Sequence, residues 1–355
     1  MTAKKTPLYN CHQKCGAHMV EFAQTLLPVR YQSEKEEHLA VRNHVGMFDV
    51  SHMGEFFVSG NEAEKFLNYT LSNNVEKLKN NQAHYSLMLN INGGIIDDLI
   101  VYKISPTNFL LCVNAANIDN DWKWLKGMSS DFDLNLENAS DRYAQIALQG
   151  PKSIEILQHL CDGPLPDRFH FSQINISSMA VLIARTGYTG EDGVEIFVAN
   201  DNAQDLWNIF LNHSVRPCGL AARDSLRLEA GMLLHGSDMD ENTTPLEARL
   251  SFAVDFSKKF IGKDALILQK TQGLQKKLFG FRLNERGIAR AGFKIFDKHQ
   301  NQIGKVSSGT WPPSQTQAIG LAFCTATDLK NGDEIYIDIR GRLSKASVAK
   351  TKFIS

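Results

Sequence analysis

The spacing of apolar residues divides the chain into alternating strand-like and helix-like stretches. Ser33-Glu34-Lys35-Glu36 has the form of a capping box, in which the Ser33 oxygen accepts from the third helical N–H while Glu36 reaches back. The helix it opens carries Leu39 and Val45 and is expected to close at Gly46. Strand-like alternation follows over 48–52 and again over 55–58. Gly60-Asn61 then starts a helix with Ala63, Phe66, Leu67 and Leu71 on one stripe. Residues 86–90, the turn Asn92-Gly93-Gly94 and residues 95–104 read as a β-hairpin, because adjacent glycines supply the positive φ of a tight turn. A strand over 109–114 and a helix around Trp122, Trp124 and Leu125 come next. Gly150-Pro151 is expected to open a further helix with proline in its first turn, where a missing N–H costs nothing.

A weak repeat runs through this region. Glu55-Phe56-Phe57-Val58-Ser59-Gly60-Asn61-Glu62-Ala63-Glu64-Lys65-Phe66 resembles Glu195-Ile196-Phe197-Val198-Ala199-Asn200-Asp201-Asn202-Ala203-Gln204-Asp205-Leu206, each a strand, a cap and an amphipathic helix. Duplication would give two similar α+β lobes in the first ~240 residues, although strand–cap–helix units share a composition and can match by chance. After Gly262-Lys263 the helix pattern thins. Short strands at 278–283, 293–296, 302–307, 318–323, 334–339 and 347–350 predict a small β-barrel or sandwich. A boundary is expected near residue 270, with the polar run 269–277 as connector.

Composition narrows the function. A chain of 355 residues is long enough for two or three domains at about 150 residues each. Lys+Arg 38 against Asp+Glu 39 leaves a formal charge of −1, unlike a general nucleic-acid binder. No apolar run is long enough to span a bilayer and the polar start lacks a secretory leader, so no membrane partner is expected. Six cysteines dispersed over this length fit a reducing, cytoplasmic setting. Cys11-His12-x-x-Cys15 with nearby His18 is half a metal site without a second cluster, and no metal is assigned. Dinucleotide, phosphate-loop, zinc-protease and nucleophile-elbow fingerprints are absent.

Four segments are too rich in glycine or charge for ordinary core: 46–55, 93–99, 185–195 and 219–230. Asp98 lies ahead of the apolar run Leu99-Ile100-Val101-Tyr102, and a carboxylate entering such a strand needs a partner or a reaction. Alternatively, Asp97 and Asp98 finish the hairpin turn and bond nearby N–H groups. Glu195 opens the run Ile196-Phe197-Val198 either as a site carboxylate or as an edge-strand charge facing water. Tyr85 and Tyr188 suit the face of a flat ligand, or plain packing. Arg223 and Arg227, four apart on a helix, fit either a carboxylate clamp or ion pairs with Asp224 and Glu229. Together they form an inventory for a flat polar heterocycle with an acidic tail, a folate-like shape that spacing alone does not single out.

These segments, in this order, resemble the glycine cleavage T-protein family of aminomethyltransferases over nearly the whole chain. Val41-Arg42-Asn43-His44-Val45-Gly46-Met47-Phe48-Asp49-Val50-Ser51-His52-Met53-Gly54, Asp238-Met239-Asp240-Glu241-Asn242-Thr243-Thr244-Pro245 and Arg286-Gly287-Ile288-Ala289-Arg290-Ala291-Gly292 support the likeness. The resemblance implies an α+β fold with three domains in a cloverleaf around a central folate channel. Residues 1–270 would form a folate-binding aminomethyltransferase region of two intertwined α/β lobes with antiparallel sheets, roughly 1–50 with 140–270, and 51–139. Residues 271–355 would form a C-terminal β-barrel. The implied reaction moves the methylene of an aminomethyl-lipoyl H-protein to tetrahydrofolate, releasing ammonia. Asp98 corresponds by motif to the catalytic carboxylate, also contacting folate; Glu195 to the residue holding the pterin edge; Tyr85, Tyr188 and Arg223 to other folate-contacting positions. Phe22-Ala23-Gln24 departs from relatives, which carry Gly-Trp after Phe-Ala. A non-catalytic folate-binding relative serving iron–sulphur proteins is the alternative, but its Lys-Gly-Cys signature is replaced here by Lys259-Phe260-Ile261-Gly262-Lys263-Asp264.

Overall fold

A computed structural model describes residues 3–325 and 327–354. By internal contact the chain forms two compact units. One holds the chain up to Ser86 together with Asp97–Arg223; the other holds Leu87–Ile96 and the chain from Asp224 onward. Helices and antiparallel sheets are mixed throughout, as the α+β pattern requires, and no helix among the described residues is long and apolar enough to cross a membrane.

Two large sheets form in the first part of the chain. The six-stranded one runs Phe171–Ile176, Met179–Ala184, Gly193–Ala199, Tyr143–Gln149, Gly46–Asp49, Arg216–Pro217, antiparallel except for the last pair. The five-stranded one runs Gln82–Leu89, Ile95–Ser105, Asn108–Val113, Gly54–Ser59, Asn135–Asn138. Strand alternation gives each face of the six-stranded sheet its own task. Val194, Ile196 and Val198 join Ile146, Leu148, Trp207 and Phe210 in one core, where the Ala203–Asn212 helix seats a fully buried Trp207. The intervening Phe197 packs instead with Tyr102, Leu110 and Cys112 of the five-stranded sheet. Tyr102 meets Phe171 and Phe197 edge-on, with ring centroids 5.6 and 5.7 Å apart.

The repeated segments adopt matching structures. Gly54–Ser59 and Gly193–Ala199 are each inner strands of their sheets, followed by helices Ala63–Thr70 and Ala203–Asn212. Both helices bury one apolar stripe, led by Phe66 and Leu67 in the first and Leu206 and Phe210 in the second.

Several boundaries differ from the pattern-based expectation. Ser33 caps its helix as expected, accepting from the Glu36 N–H at 3.4 Å, but the Glu36 carboxylate pairs with Arg216 at 2.7 Å. That helix ends at Asn43, and Gly46–Asp49 is buried at every position because neighbours flank it on both edges. Pro151 precedes the helix Ser153–Leu160 instead of entering its first turn. The polar run 269–277 is not all connector, since helix Lys263–Gln272 takes its first part and stops at Gly273, which has φ +87°. The small sheet of Lys4–Lys5, Thr25–Arg30 and His18–Phe22 was not anticipated. Its hairpin turns through Ala23 and Gln24 at φ +46° and +61°, a left-handed geometry that glycine adopts more readily.

In the second unit the six strands Lys277–Leu283, Ile319–Cys324, Gln302–Thr310, Lys294–Phe296, Glu334–Ile339 and Arg342–Ala349 close into a barrel. Closure comes from Lys277–Leu283 pairing antiparallel with Arg342–Ala349. Phe279, Phe281, Ile295, Ile337 and Val348 fill the interior. The same unit clasps the tip of the 82–105 hairpin. Gly93 turns it at φ +81°, and the Ile95 N–H donates to the carbonyls of Asp240 and Thr243 at 3.1 and 3.0 Å. A Cβ at Gly94 would stand 1.8 Å from the Glu241 carbonyl oxygen, so no side chain fits without moving backbone. Gly94→Ala is therefore expected to cost about 3 kcal/mol, seen as a lower urea midpoint; an unchanged midpoint would mean that this clasp is absent.

Candidate functional site

The face of the five-stranded sheet that looks toward the six-stranded one carries Asp98, Ile100, Tyr102 and Ile104, every second residue of one strand. Asp97 and Asp98 are strand residues, not turn residues, since the turn lies at 90–94. They point to opposite faces and still share one donor. The Asn114 side-chain amide sits 2.8 Å from Asp97 Oδ1 and 2.8 Å from Asp98 Oδ1. Asp97, fully buried, also accepts from the Asn114 backbone N–H at 3.0 Å and from Asn117 Nδ2 at 2.6 Å. Tyr85 donates its hydroxyl to Asp98 Oδ2 at 3.0 Å.

Burial, and then the charge of Asp97, raises the Asp98 pKa to about 7, while the bonds from Tyr85 and Asn114 pull it back down. Asp121, on helix Ile118–Met128, is buried and pushed up to about 11 by burial and then by Asp97. It is therefore protonated near neutrality. Asp98 keeps part of its surface open, so it is the carboxyl of this trio that a ligand can reach.

The other candidates gather nearby. Glu195 is 9 % exposed on an inner strand, not an edge, and accepts from the Thr186 hydroxyl at 2.6 Å. The Arg223 guanidinium lies 4.7 Å from the centre of the Tyr188 ring, a cation–π contact. Burial lowers the Arg223 pKa, opposed by the charge of Glu195. Burial also drives the Tyr85 hydroxyl far up, helped by Asp98 and by Tyr188, which ties the two halves of the group together. One Arg223 nitrogen, Nη1, is buried with no hydrogen-bond partner among the described residues. Tyr85, Asp98, Tyr188, Glu195 and Arg223 thus form one constellation within one compact unit. Arg227 is different: Asp238 and Asp224 pair with its guanidinium, and Ser308 accepts from it at 2.9 Å.

Sequence reasoning passed over Asn114, Asn117, Thr186 and His52. His52 is buried, and burial together with the Arg223 charge lowers its pKa to about 4, leaving a neutral imidazole beside the guanidinium. Its place in the 46–55 segment was the only signal. Asn114 merely ended an apolar strand. The Cys11-His12-x-x-Cys15 cluster is accounted for by packing: His12 Nε2 is 2.8 Å from Asp49 Oδ2 and Nδ1 is 2.8 Å from the Tyr31 hydroxyl.

Comparison with known proteins gives a consistent result. Residues 8–258 match the family model of the GCVT N-terminal domain, and residues 276–354 that of the glycine cleavage T-protein C-terminal barrel domain. An aminomethyltransferase of Thermosipho melanesiensis is 46% identical over 353 residues, 99% of this chain and 97% of the relative. One from Staphylococcus epidermidis is 44% identical over 352 residues, 98% and 97%. The crystal structure of glycine cleavage system aminomethyltransferase T from Bartonella henselae superposes with a TM-score of 0.94 at 35% identity, covering 99% of this chain and 98% of that one.

The hydrogen bonds at Asp98 carry a test that needs no turnover. Tyr85→Phe removes a donor to the ionised form and is expected to raise the Asp98 pKa; Asp97→Asn removes a neighbouring charge and is expected to lower it. A carboxyl-carbon NMR titration reads both, and two shifts of the same sign would contradict this electrostatic picture.

Proposed function

The chain belongs to the glycine cleavage T-protein family and is an aminomethyltransferase, and from that premise we propose how its own residues carry the reaction. The family is folate-dependent and works with the H-protein of the glycine cleavage system. On this reading the chain takes tetrahydrofolate as co-substrate and the aminomethyl-lipoyl arm of H-protein as donor. The donor carbon lies between sulfur and nitrogen. Its bonds to both break, two nitrogens of the acceptor bond to it, ammonia leaves, and the sulfur departs as the thiol of a dihydrolipoyl group.

The residues fit such a ligand. Glu195, fixed by Thr186, offers carboxylate oxygen to the paired N–H donors of a pterin edge. Tyr85 and Tyr188 supply aromatic surface, and Arg223 supplies a guanidinium for an acidic tail or for the ring's polar edge. Asp98 is the reacting group. As the sulfur–carbon–nitrogen unit comes apart, positive charge develops on the transferred carbon, and a fixed anion in a desolvated setting stabilises it better than water does. With a pKa near 7, Asp98 is present both as anion and as acid at neutral pH, so it can also take a proton from the attacking nitrogen and hand it on. Tyr85 and Asn114 hold both of its oxygens, so little reorientation is needed.

The observation that carries the reading is this largely buried carboxyl, bonded at both oxygens and with a pKa raised to about 7. The experiment is Asp98→Asn in an assay reconstituted with aminomethylated H-protein. Folate affinity is expected to stay near the parent value while turnover falls by about two orders of magnitude or more. Near-parent turnover would remove Asp98 from the chemistry. The iron–sulphur alternative gains nothing from the relatives, which carry the aminomethyltransferase name.

A further inference from the structure

Tyr102, Phe171, Ala184 and Phe197 pack between the two large sheets, and strands of both sheets also line a cavity that none of the candidate site residues borders. Its volume is about 400 Å³, within the range of small-molecule sites. Phe57, Ile104, Leu110, Val181 and Leu182 make its walls largely apolar, Gln173 and Asn175 add neutral polar groups, and Glu55 is the one carboxyl that lines it. Glu55 is 1 % exposed, and neither carboxyl oxygen has a hydrogen-bond partner among the described residues.

The internal repeat makes this informative. Glu55 and Glu195 occupy the same position in the duplicated strand, each two residues before a phenylalanine that faces between the sheets. Both are buried. Glu195 is satisfied by the Thr186 hydroxyl, whereas the position opposite Glu55 on the neighbouring strand holds Cys112, which bonds Gln145 instead. The titratable groups that sense Glu55 are Asp141, Cys112 and Tyr102, none of them a cation. Arg142, over the ring of the lining Tyr143, pairs with Glu137 at 2.8 Å. No Lys, Arg or His lines the cavity. A buried carboxyl with no donor among the described residues, lining a largely apolar cavity, is matched by a ligand that brings its own donor.

We propose that this cavity is a second ligand site, taking a small apolar molecule that carries an amidinium or ammonium group, with Glu55 as the residue that pairs with it. The apolar body fills the space between Phe57, Leu110 and Leu182, and the charged end reaches the carboxyl. Binding of the cation requires the anionic form of Glu55, so a proton leaves as the ligand enters. The site needs neither Asp98 nor Glu195, and it stands or falls independently of the folate reading.

Benzamidine is the probe, with neutral benzamide as its isosteric control, titrated calorimetrically into the full chain. Saturable binding is expected, tightening as pH rises because burial holds the Glu55 carboxyl protonated until well above the ordinary carboxylate range. Glu55→Gln is expected to weaken benzamidine binding about tenfold or more and to leave aminomethyl transfer unchanged. Ala199→Trp, at the exposed rim, is expected to block entry without touching the core. Binding that survives both substitutions, benzamide binding as tightly as benzamidine, or no saturable binding at all would overturn the proposal. Stability gives a second reading without ligand. A carboxyl whose folded pKa is raised costs the fold stability as pH climbs from the ordinary value toward the raised one. Glu55→Gln should therefore melt above the parent at neutral pH, and the gap should close in acid. A parent more stable than the variant at neutral pH would mean that Glu55 already has a partner inside the fold, and would equally defeat the inference.

Discussion

Desolvated carboxylate is the constraint around which the first unit is built. Asp97 and Asp98 are adjacent on one strand, and Asp121 is buried against the same pair, so three acids share a region with little water. Ionising all of them there would be prohibitive, because each like charge raises the cost of the next. The fold sorts them. Asp97 collects three amide donors from Asn114 and Asn117, Asp121 is driven to its protonated form, and Asp98 is left in between with a pKa of about 7. The raised pKa of Asp98 is thus set by burial and by Asp97 more than by its own hydrogen bonds, which lower it.

The same logic explains which parts of this arrangement could be read from sequence. Asp98 stood out because a carboxylate ahead of Leu99-Ile100-Val101-Tyr102 is chemically out of place. Glu195 stood out for the same reason, yet its burial depended on whether its strand was inner or edge, and strand order is a property of long-range pairing that no local pattern encodes. Met179–Ala184 pairing with Gly193–Ala199 on one side, and Tyr143–Gln149 on the other, is what encloses it. Asn114 and Thr186 were invisible because an amide or a hydroxyl near a strand end is ordinary until its acceptor is known. The C-terminal strands were legible from turn spacing alone, whereas barrel closure required the pairing of the first strand with the last.

Boundaries failed where tertiary contacts outweighed local signals. Glu36 fits the capping-box pattern but spends its carboxylate on Arg216, a residue 180 positions away. Ala23 and Gln24 hold left-handed backbone without glycine, which a chain tolerates only where the surrounding hairpin and sheet fix the turn. At Glu36 the sequence pattern described a local preference, and a distant partner decided how it was used.

The internal repeat adds a last step. Two strand–helix units with an acid at the same position would, if their surroundings had stayed identical, bury two equivalent carboxylates. They did not stay identical: Thr186 meets one acid, while Cys112 faces the other and turns toward Gln145. The first acid sits where Arg223 adds a positive field; burial, and then the charge of Asp141, opposes the ionisation of the second. One scaffold element therefore supplies two chemically distinct buried acids, an acceptor already braced by a hydroxyl and one with its bonding capacity unspent. The difference follows from what surrounds each strand: Thr186, in the loop after Met179–Ala184, reaches Glu195, whereas Cys112 stands opposite Glu55.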